Sequence, residues 1–262
     1  MLTRLFSACF IVAIMVAFPP FTLTAYAQSA DPLVVEADDS LEWRREDRQY
    51  IATGNAVATQ GETTLKADVI TADYRDDAVN EAENVNITRI IGAGAAMLSE
   101  TTFNAAAEKI TYDLASNIAT LEGGSVSVTA DDGTITARDV IIYRRGERLL
   151  IASGSAEINL SNGQQLSGDV IEVDLNADET DFIAVRAKGN AEVFSPGADG
   201  SQEARAENID YTRETGIAVL EGDVEILDGS NVMTGDMARI NTISGISTMT
   251  STGGRVGGVF KP

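Results

Sequence analysis

Carboxylates are the side chains of this sequence that recur in a pattern chemistry could use. An acid stands at Asp68, Glu108, Asp139, Asp169, Glu207 and Asp236, in steps of 40, 31, 30, 38 and 29 residues. General acid–base catalysis needs one pair of carboxyl groups in one cleft, not six equivalent ones. A carboxylate at the same place in every copy of a repeat is better suited to accepting hydrogen bonds at a turn. Composition narrows the rest. The sequence has no His and a single Cys, Cys9, close to its start. A chain freed of that start has no thiolate nucleophile, no disulfide, no His-based triad and no His/Cys zinc site. The G-G-x-G-x-D nonapeptide of calcium-loaded β-rolls does not occur either. No catalytic residue, metal or cofactor is expected.

The start reads as an export signal. Arg4 precedes an apolar run from Leu5 to Phe18, and Ala25-Tyr26-Ala27 is an A-x-A site that would leave Gln28 first. The run is short for a membrane span and is closed by Pro19-Pro20, which disfavours the alternative of a retained anchor. Cys9 lies inside the run, which argues against lipidation. Arg4 is the one charged residue of this segment, so its removal takes the net charge from −21 to −22. Such acidity argues against nucleic acid and against anionic membrane surfaces as partners. It suits the solubility of a long β protein.

The acids belong to a phrase, and the phrase sets the elements. Ala206-Glu207-Asn208-Ile209-Asp210-Tyr211-Thr212 runs on to Leu220-Glu221-Gly222-Asp223-Val224-Glu225-Ile226. Similar pairs of segments recur every 30 to 40 residues over 34–250, with glycines at Gly54, Gly124, Gly154, Gly189 and Gly222. One copy, near Glu83-Asn84-Val85-Asn86-Ile87, lacks its glycine. Within each phrase apolar residues alternate with Thr, Asp, Glu, Asn, Lys or Ser, the period of a strand with one dry face. Counting from the acids, that face holds Ile70, Ile110, Tyr112, Ile141, Tyr143, Ile171, Val173, Ile209 and Tyr211. Counting from the glycines, it holds Val126, Val128, Ile158, Val193, Val224 and Ile226, and Leu65 and Leu166 lie on the same face. The expectation is an all-β protein built from these repeats, with a bend or bulge at each glycine.

Three segments stand apart. The alanine-rich stretch 92–107 admits a helical turn, although its neighbours favour a degenerate strand copy. Ser195 to Ser201 reads as the longest loop, and 251–262 as a flexible tail after a domain spanning 28–250. Two basic clusters, Arg44, Arg45, Arg48 and Arg144, Arg145, Arg148, fall at breaks between strands. They are either solvated turns that discourage edge pairing or contacts for a phosphate or carboxylate on an amphiphile.

The [Ala/Gly]-[Asp/Glu]-x-Ile-x-[Tyr/Val]-[Asp/Thr] phrases coupled to Gly-[Asn/Asp/Ser]-[Ala/Val]-x-[Ile/Val] resemble the OstA-like family, that of LptA, LptC and the N-terminal part of LptD. Val35-Glu36-Ala37-Asp38 before Leu41-Glu42-Trp43 resembles the opening of such domains. The resemblance implies an antiparallel, twisted β-jellyroll, open at both ends, whose interior holds lipid acyl chains. The seventeen dry-face residues named above would then line a lipid groove. It further implies lipopolysaccharide, through its lipid A acyl chains, as cargo. Head-to-tail self-association and LptC-like and LptD-like proteins are the implied partners, and the periplasm is the location. The A-x-A site argues against an anchored LptC-like form, and the stop at Pro262 against an LptD-like barrel, which leaves the LptA type. The array is longer than a minimal domain of that type needs. The first strand, Leu33 to Ala37, and a last strand, about Met237 to Ile243, would be the exposed edges. The alternative is a secreted β-solenoid, structural or polysaccharide-binding; few aromatics and the single Trp43 weigh against the latter.

Overall fold

Runs of alternating apolar and polar residues, cut by glycines and polar turns, form strands in the structure, a computed structural model. It describes residues 32–76, 85–179, 181–196, 201–244 and 246–260. The expected signal peptide, Asp31, Glu83-Asn84, Gly197 to Gly200 and the last two residues lie outside these. Among the described residues there is no helix. The strands are β1 (Val34–Glu36), β2 (Ser40–Arg44), β3 (Gln49–Gln60), β4 (Thr63–Asp76), β5 (Val85–Ser99) and β6 (Phe103–Asp113). Four short ones follow: β7 (Ile118–Glu122), β8 (Val126–Ala130), β9 (Gly133–Ala137) and β10 (Val140–Arg144). Then come β11 (Leu149–Leu160), β12 (Gln165–Leu175), β13 (Phe182–Ser195), β14 (Gln202–Thr212), β15 (Ile217–Asp228) and β16 (Asn231–Asn241). The last two are β17 (Ile246–Thr250) and β18 (Gly257–Val259). The alanine-rich stretch 92–107 is strand in β5 and β6, not helix.

All pairings are antiparallel, and the sheet is a meander. β1 and β2 pair with opposite halves of β3. β7 and β8 share β6, and β9 and β10 share β11. β17 and β18 share β16. Those four pairs of short strands each act as one interrupted strand, so the eighteen strands form fourteen strand lines. The first line pairs only with the second, and the last only with the thirteenth, so the sheet is open at both edges among the described residues.

Each line is bent at its middle, and the repeated acids and glycines do the bending. Six of the seven even lines, all but the last, carry a bulge of two successive residues at positive φ: Gly54-Asn55, Gly94-Ala95, Gly123-Gly124, Gly154-Ser155, Gly189-Asn190 and Gly222-Asp223. Ladder register slips at the five of these that lie within continuous strands. Odd lines carry the acid. A Cβ on the first glycine of each bulge would collide with the carboxylate of Asp39, Asp68, Glu108, Asp139, Asp169 or Glu207 respectively. Glycine is therefore required twice over, by left-handed backbone and by contact. The seventh acid, Asp236, has a different partner: it accepts hydrogen bonds from the Ser251 hydroxyl (2.6 Å) and the Thr252 backbone N–H (2.7 Å). Those bonds hold its carboxyl below the usual range.

The structure corrects the repeat in four places. The copy thought to lack a glycine has Gly94. The third bulge starts at Gly123, one residue before Gly124, with Ser125 as an extra residue. Asp39 is a first acid that the period had not reached. Met237 to Ile243 is not an edge, because β16 is covered by β17 and β18.

Bending every line along one row folds the sheet over its dry face. Leu65, on one arm of β4, lies against Gly92, which is paired with the other arm. The interior is one continuous apolar cluster, and no polar or charged residue is buried among the described residues.

Candidate lipid-binding trough

The registers align the inward residues into rows that run across every strand line. One arm carries Leu41, Ala52, Ile70, Gly92, Ile110, Leu121 and Ile141 directly opposite one another. The row goes on through Ala152, Ile171, Ala187, Ile209, Leu220, Ala238 and Met249. The other arm carries Val35, Ala58, Leu65, Leu98, Ala105, Val128 and Ile135. Its row ends in Ile158, Leu166, Val193, Ala204, Ile226, Met233 and Gly258. At the fold itself the paired residues are small: Ala56 with Ala67, Ala96 with Ala107, Val126 with Ala137, Ala191 with Ala206. Small side chains let the two arms converge; the larger Ile, Leu and Val fill the widening space above them.

All seventeen residues expected on the dry face point inward, but burial divides them. Leu65, Ile70, Ile110, Val126, Ile141, Ile158, Ile171, Val173, Ile209, Val224 and Ile226 are buried against the protein's own side chains. Tyr112, Tyr143, Val128, Leu166 and Val193 are half-buried and pack on the core from the rim, and half-buried Tyr211 lies against Phe182. Exposure therefore rises from the fold, where Ala56 and Val126 are at 0 %, to the two lips formed by the strand ends.

The lips differ. One is aromatic: Trp43, Tyr50, Tyr112, Tyr143 and Tyr211 lie in a single cross-strand row. Trp43 stacks on Tyr50 at 5.6 Å, and its indole N–H donates to the Tyr74 hydroxyl at 2.9 Å. Burial, then the nearby Glu179, raises the Tyr143 hydroxyl above the ordinary tyrosine value, so it stays protonated. The turns of this lip include 45–48 and 145–148, which contain Arg45, Arg48, Arg145 and Arg148 of the two arginine clusters. Arg45 lies 4.0 Å over the Trp43 ring, and Arg145 pairs with Glu179 at 3.3 Å. The opposite lip is poorer in rings, with Phe103 beside aliphatic Leu98, Val128, Ile135 and Leu160. Its turns at 61–62, 100–102, 131–132, 161–164 and 229–230 hold Glu62, Glu100, Asp131 and Asp132 and no Lys or Arg.

The trough is open at both sheet edges. Leu41 and Trp43 share the inward face of the buried Ala52 and of Tyr50, yet are 62 % and 52 % exposed. At the other end Phe260, on the face of Gly258, is 70 % exposed. Sequence reasoning missed these end residues and the rim residues Leu98, Phe103, Ile135 and Phe182. Leu41 and Trp43 stand two and four residues after Asp39, the parity of the later acids, whereas Phe182 departs from that parity because Ile183 is a bulge in β13.

The outer face is polar and cross-linked. Arg186 bonds Glu172 (3.1 Å) and Asp174 (2.7 Å), and Lys188 bonds Glu172 (2.6 Å). Such exposed pairs contribute little each; they keep inter-strand repulsion low on a strongly acidic surface. No group of three or more His, Cys, Asp or Glu among the described residues is arranged to hold a metal ion.

Two bent sheet arms thus enclose an apolar trough with a polar outer face. The chain belongs to the family described as LptA/(LptD N-terminal domain) LPS transport protein, whose model matches it twice, over residues 34–148 and 124–246. This is a family of lipopolysaccharide-transport proteins. Among solved structures, the chain is similar to LptH, the LptA homologous periplasmic component of the lipopolysaccharide transport device from Pseudomonas aeruginosa. Identity is 14%, 88% of this chain and 96% of that chain are covered, and the TM-score is 0.25. No curated protein sequence matches.

Proposed function

We propose that this chain is a periplasmic bridge of the LptA type. It carries lipopolysaccharide between membranes by holding lipid A acyl chains in the trough and joining head to tail with itself and with LptC-like and LptD-like partners. The observation that carries this reading is the continuity of the inward rows to both open edges, where Leu41, Trp43 and Phe260 leave apolar surface uncovered. Isolated exposed apolar residues are common; ones that terminate an interior row mark a surface to be continued. Burying methylenes contributes about 0.8 kcal/mol each, so acyl chains entering between the lips need no charged contact to stay. The buried rows are filled by the protein itself, so uptake parts the lips and the rim residues touch cargo first. No catalysis is involved.

Parity supports the joint. Fourteen lines is an even number, so the first line of a following copy continues both the antiparallel alternation and the acid-then-bulge order. Its first acid would again be Asp39, after the Ser251–Gly253 partner of Asp236 in the preceding copy. Unpaired edge groups on β1, β2, β17 and β18 supply the hydrogen bonds, and a heterologous contact of this kind extends rather than closes. A polysaccharide-binding role is less well supported, since the ring of Trp43 is occupied by Tyr50 and Arg45.

Two experiments test the reading. A photo-reactive residue at Tyr112, Tyr143 or Val193 should capture lipopolysaccharide in cells, whereas one at Glu172 or Asp210 on the outer face should not; equal capture from both faces rules out the trough. Prolines at two alternate positions of β17 whose N–H points away from β16 should leave the monomer folded by circular dichroism and abolish assembly in light scattering. A wild-type protein that stays monomeric at high concentration and binds neither neighbour removes the bridge and leaves a carrier.

A further inference from the structure

The chain is built twice. The two family matches, 34–148 and 124–246, start 90 residues apart and share an overlap, and the backbone repeats with an offset of one hundred. Asp38 and Asp39 donate to the carbonyls of Gly54 (2.8 Å) and Thr53 (3.1 Å); Arg138 and Asp139 donate to those of Gly154 (2.7 Å) and Ser153 (3.2 Å). The backbone N–H of Arg48 donates to the carbonyl of Arg45 and that of Arg148 to the carbonyl of Arg145, with φ of 55° and 54° at the donors. The interrupted line β9–β10 is thus the counterpart of β1–β2, and a second unit begins at the seventh line.

Both units place an arginine and an aromatic ring at the same point of the same lip. Trp43 and Tyr143 are equivalent, and both face inward. The guanidinium of Arg45 lies over the ring of Trp43. That of Arg145, in the equivalent turn, pairs with Glu179 at 3.3 Å. Arg45 therefore leans over the mouth, and Arg145 stands at the equivalent place in the second unit. Arg44 and Arg144, by contrast, follow an inward aromatic, so they point outward, where they pair with Glu42 and Glu147. The facing lip offers carboxylates and no cation in its described turns. An amphiphile whose chains enter the trough can have an anionic headgroup met only on the arginine lip.

We propose that Arg45 with Trp43, and Arg145 with Tyr143 and Tyr112, form two equivalent anion sites on one lip, each holding the phosphorylated headgroup of one amphiphile. This rests on the lipid-trough reading and adds to it a headgroup orientation and a stoichiometry of two. Guanidinium and phenol hydroxyls donate to phosphate oxygens, and charge-assisted bonds of this kind are the stronger class. Six strand spacings separate the sites, about 29 Å at ~4.8 Å each, wider than a disaccharide headgroup. Carboxylates are close by: Glu46 and Asp47 share the first turn and Glu147 the second. Glu179 holds Arg145 at 3.3 Å, so a phosphate at the second site exchanges with it.

The test uses the full exported chain with two probes, bisphosphorylated lipid A and the same lipid with both phosphates removed, in native mass spectrometry and equilibrium binding. Wild type should take up two bisphosphorylated molecules and bind the dephosphorylated form about tenfold more weakly, the loss expected when one charge-assisted bond is removed. Arg45→Gln and Arg145→Gln should each weaken one of the two sites by about tenfold, and the double variant both. None should change binding of the dephosphorylated lipid, and Arg→Lys at each position should restore part of the loss. Equal binding of both probes by wild type and variants overturns the anion sites and leaves the trough standing. Loss of both probes alike in the variants makes the arginines structural and also overturns it. Uptake of neither probe by wild type defeats the trough itself, and the sites with it.

Discussion

The fold line and the rim are parts of the same strands, yet they impose opposite demands on sequence. At the fold line every position is determined by contact: a glycine at positive φ under a carboxylate, then Ala or Val at 0–1 % exposure. At the rim the strands need only inward apolar residues of some kind, and Tyr, Leu, Val, Phe and Ile all occur. The fold line converts a flat sheet into a trough, and on the proposed function the rim meets the cargo. Substitutions should therefore separate stability from transport according to height above the fold line.

The largest effect is expected at the bulges. Gly154→Val adds left-handed strain of about 1–3 kcal/mol and a collision with Asp139 of similar cost. Its midpoint of thermal unfolding should fall furthest of the variants described here. Gly124→Ala sharpens the point: Gly124 is also at positive φ but nothing lies within 4 Å of its Cβ position, so only the strain of about 1 kcal/mol applies. Similar losses for the two would show that contact with the acids matters little. Next, Ile171→Ala, at 0 % exposure, should cost about 2–5 kcal/mol in denaturant titration while folded protein still captures lipid. A smaller change in stability is expected at the rim. Tyr143→Leu should cost under about 1.5 kcal/mol, yet reduce lipopolysaccharide capture in cells more than Ile171→Ala does. The reverse order would break the division of labour.

The smallest effect is electrostatic. Bonding by Lys188, then by Arg186, holds the Glu172 carboxyl below its ordinary value of 4.5. A depressed carboxylate contributes stability that is present above its unfolded pKa, and loses it as pH falls through the folded value. Wild type should thus lose stability below about pH 4.5 with a component that Glu172→Gln lacks, seen by comparing unfolding free energies between pH 3 and 7. Parallel pH profiles for the two proteins would show that the outer ladder is neutral to stability.

Period and parity, which are local properties, were legible in the chain. Alternation of Ile209, Tyr211, Val224 and Ile226 with polar residues identified strands, and all seventeen dry-face positions do face inward. The repeated glycines announced bulges, because few other residues accept positive φ. Composition removed His-based chemistry at once. What one-dimensional pattern could not supply was pairing across lines. Asp68 sits on Gly94 rather than on any glycine of its own phrase, and Glu108 on Gly123 rather than Gly124. These partners are fixed by which lines lie side by side. Equally, the pattern could not show that Ile171 is sealed while Tyr143 borders water, since both alternate identically along their strands. Depth is set by distance from the common fold line, and that line exists only once fourteen bends have been brought into one row. The sequence of this protein determined which face is apolar; the tertiary structure decided how far each residue stands from the mouth, because burial depends on the opposing arm and not on the strand itself.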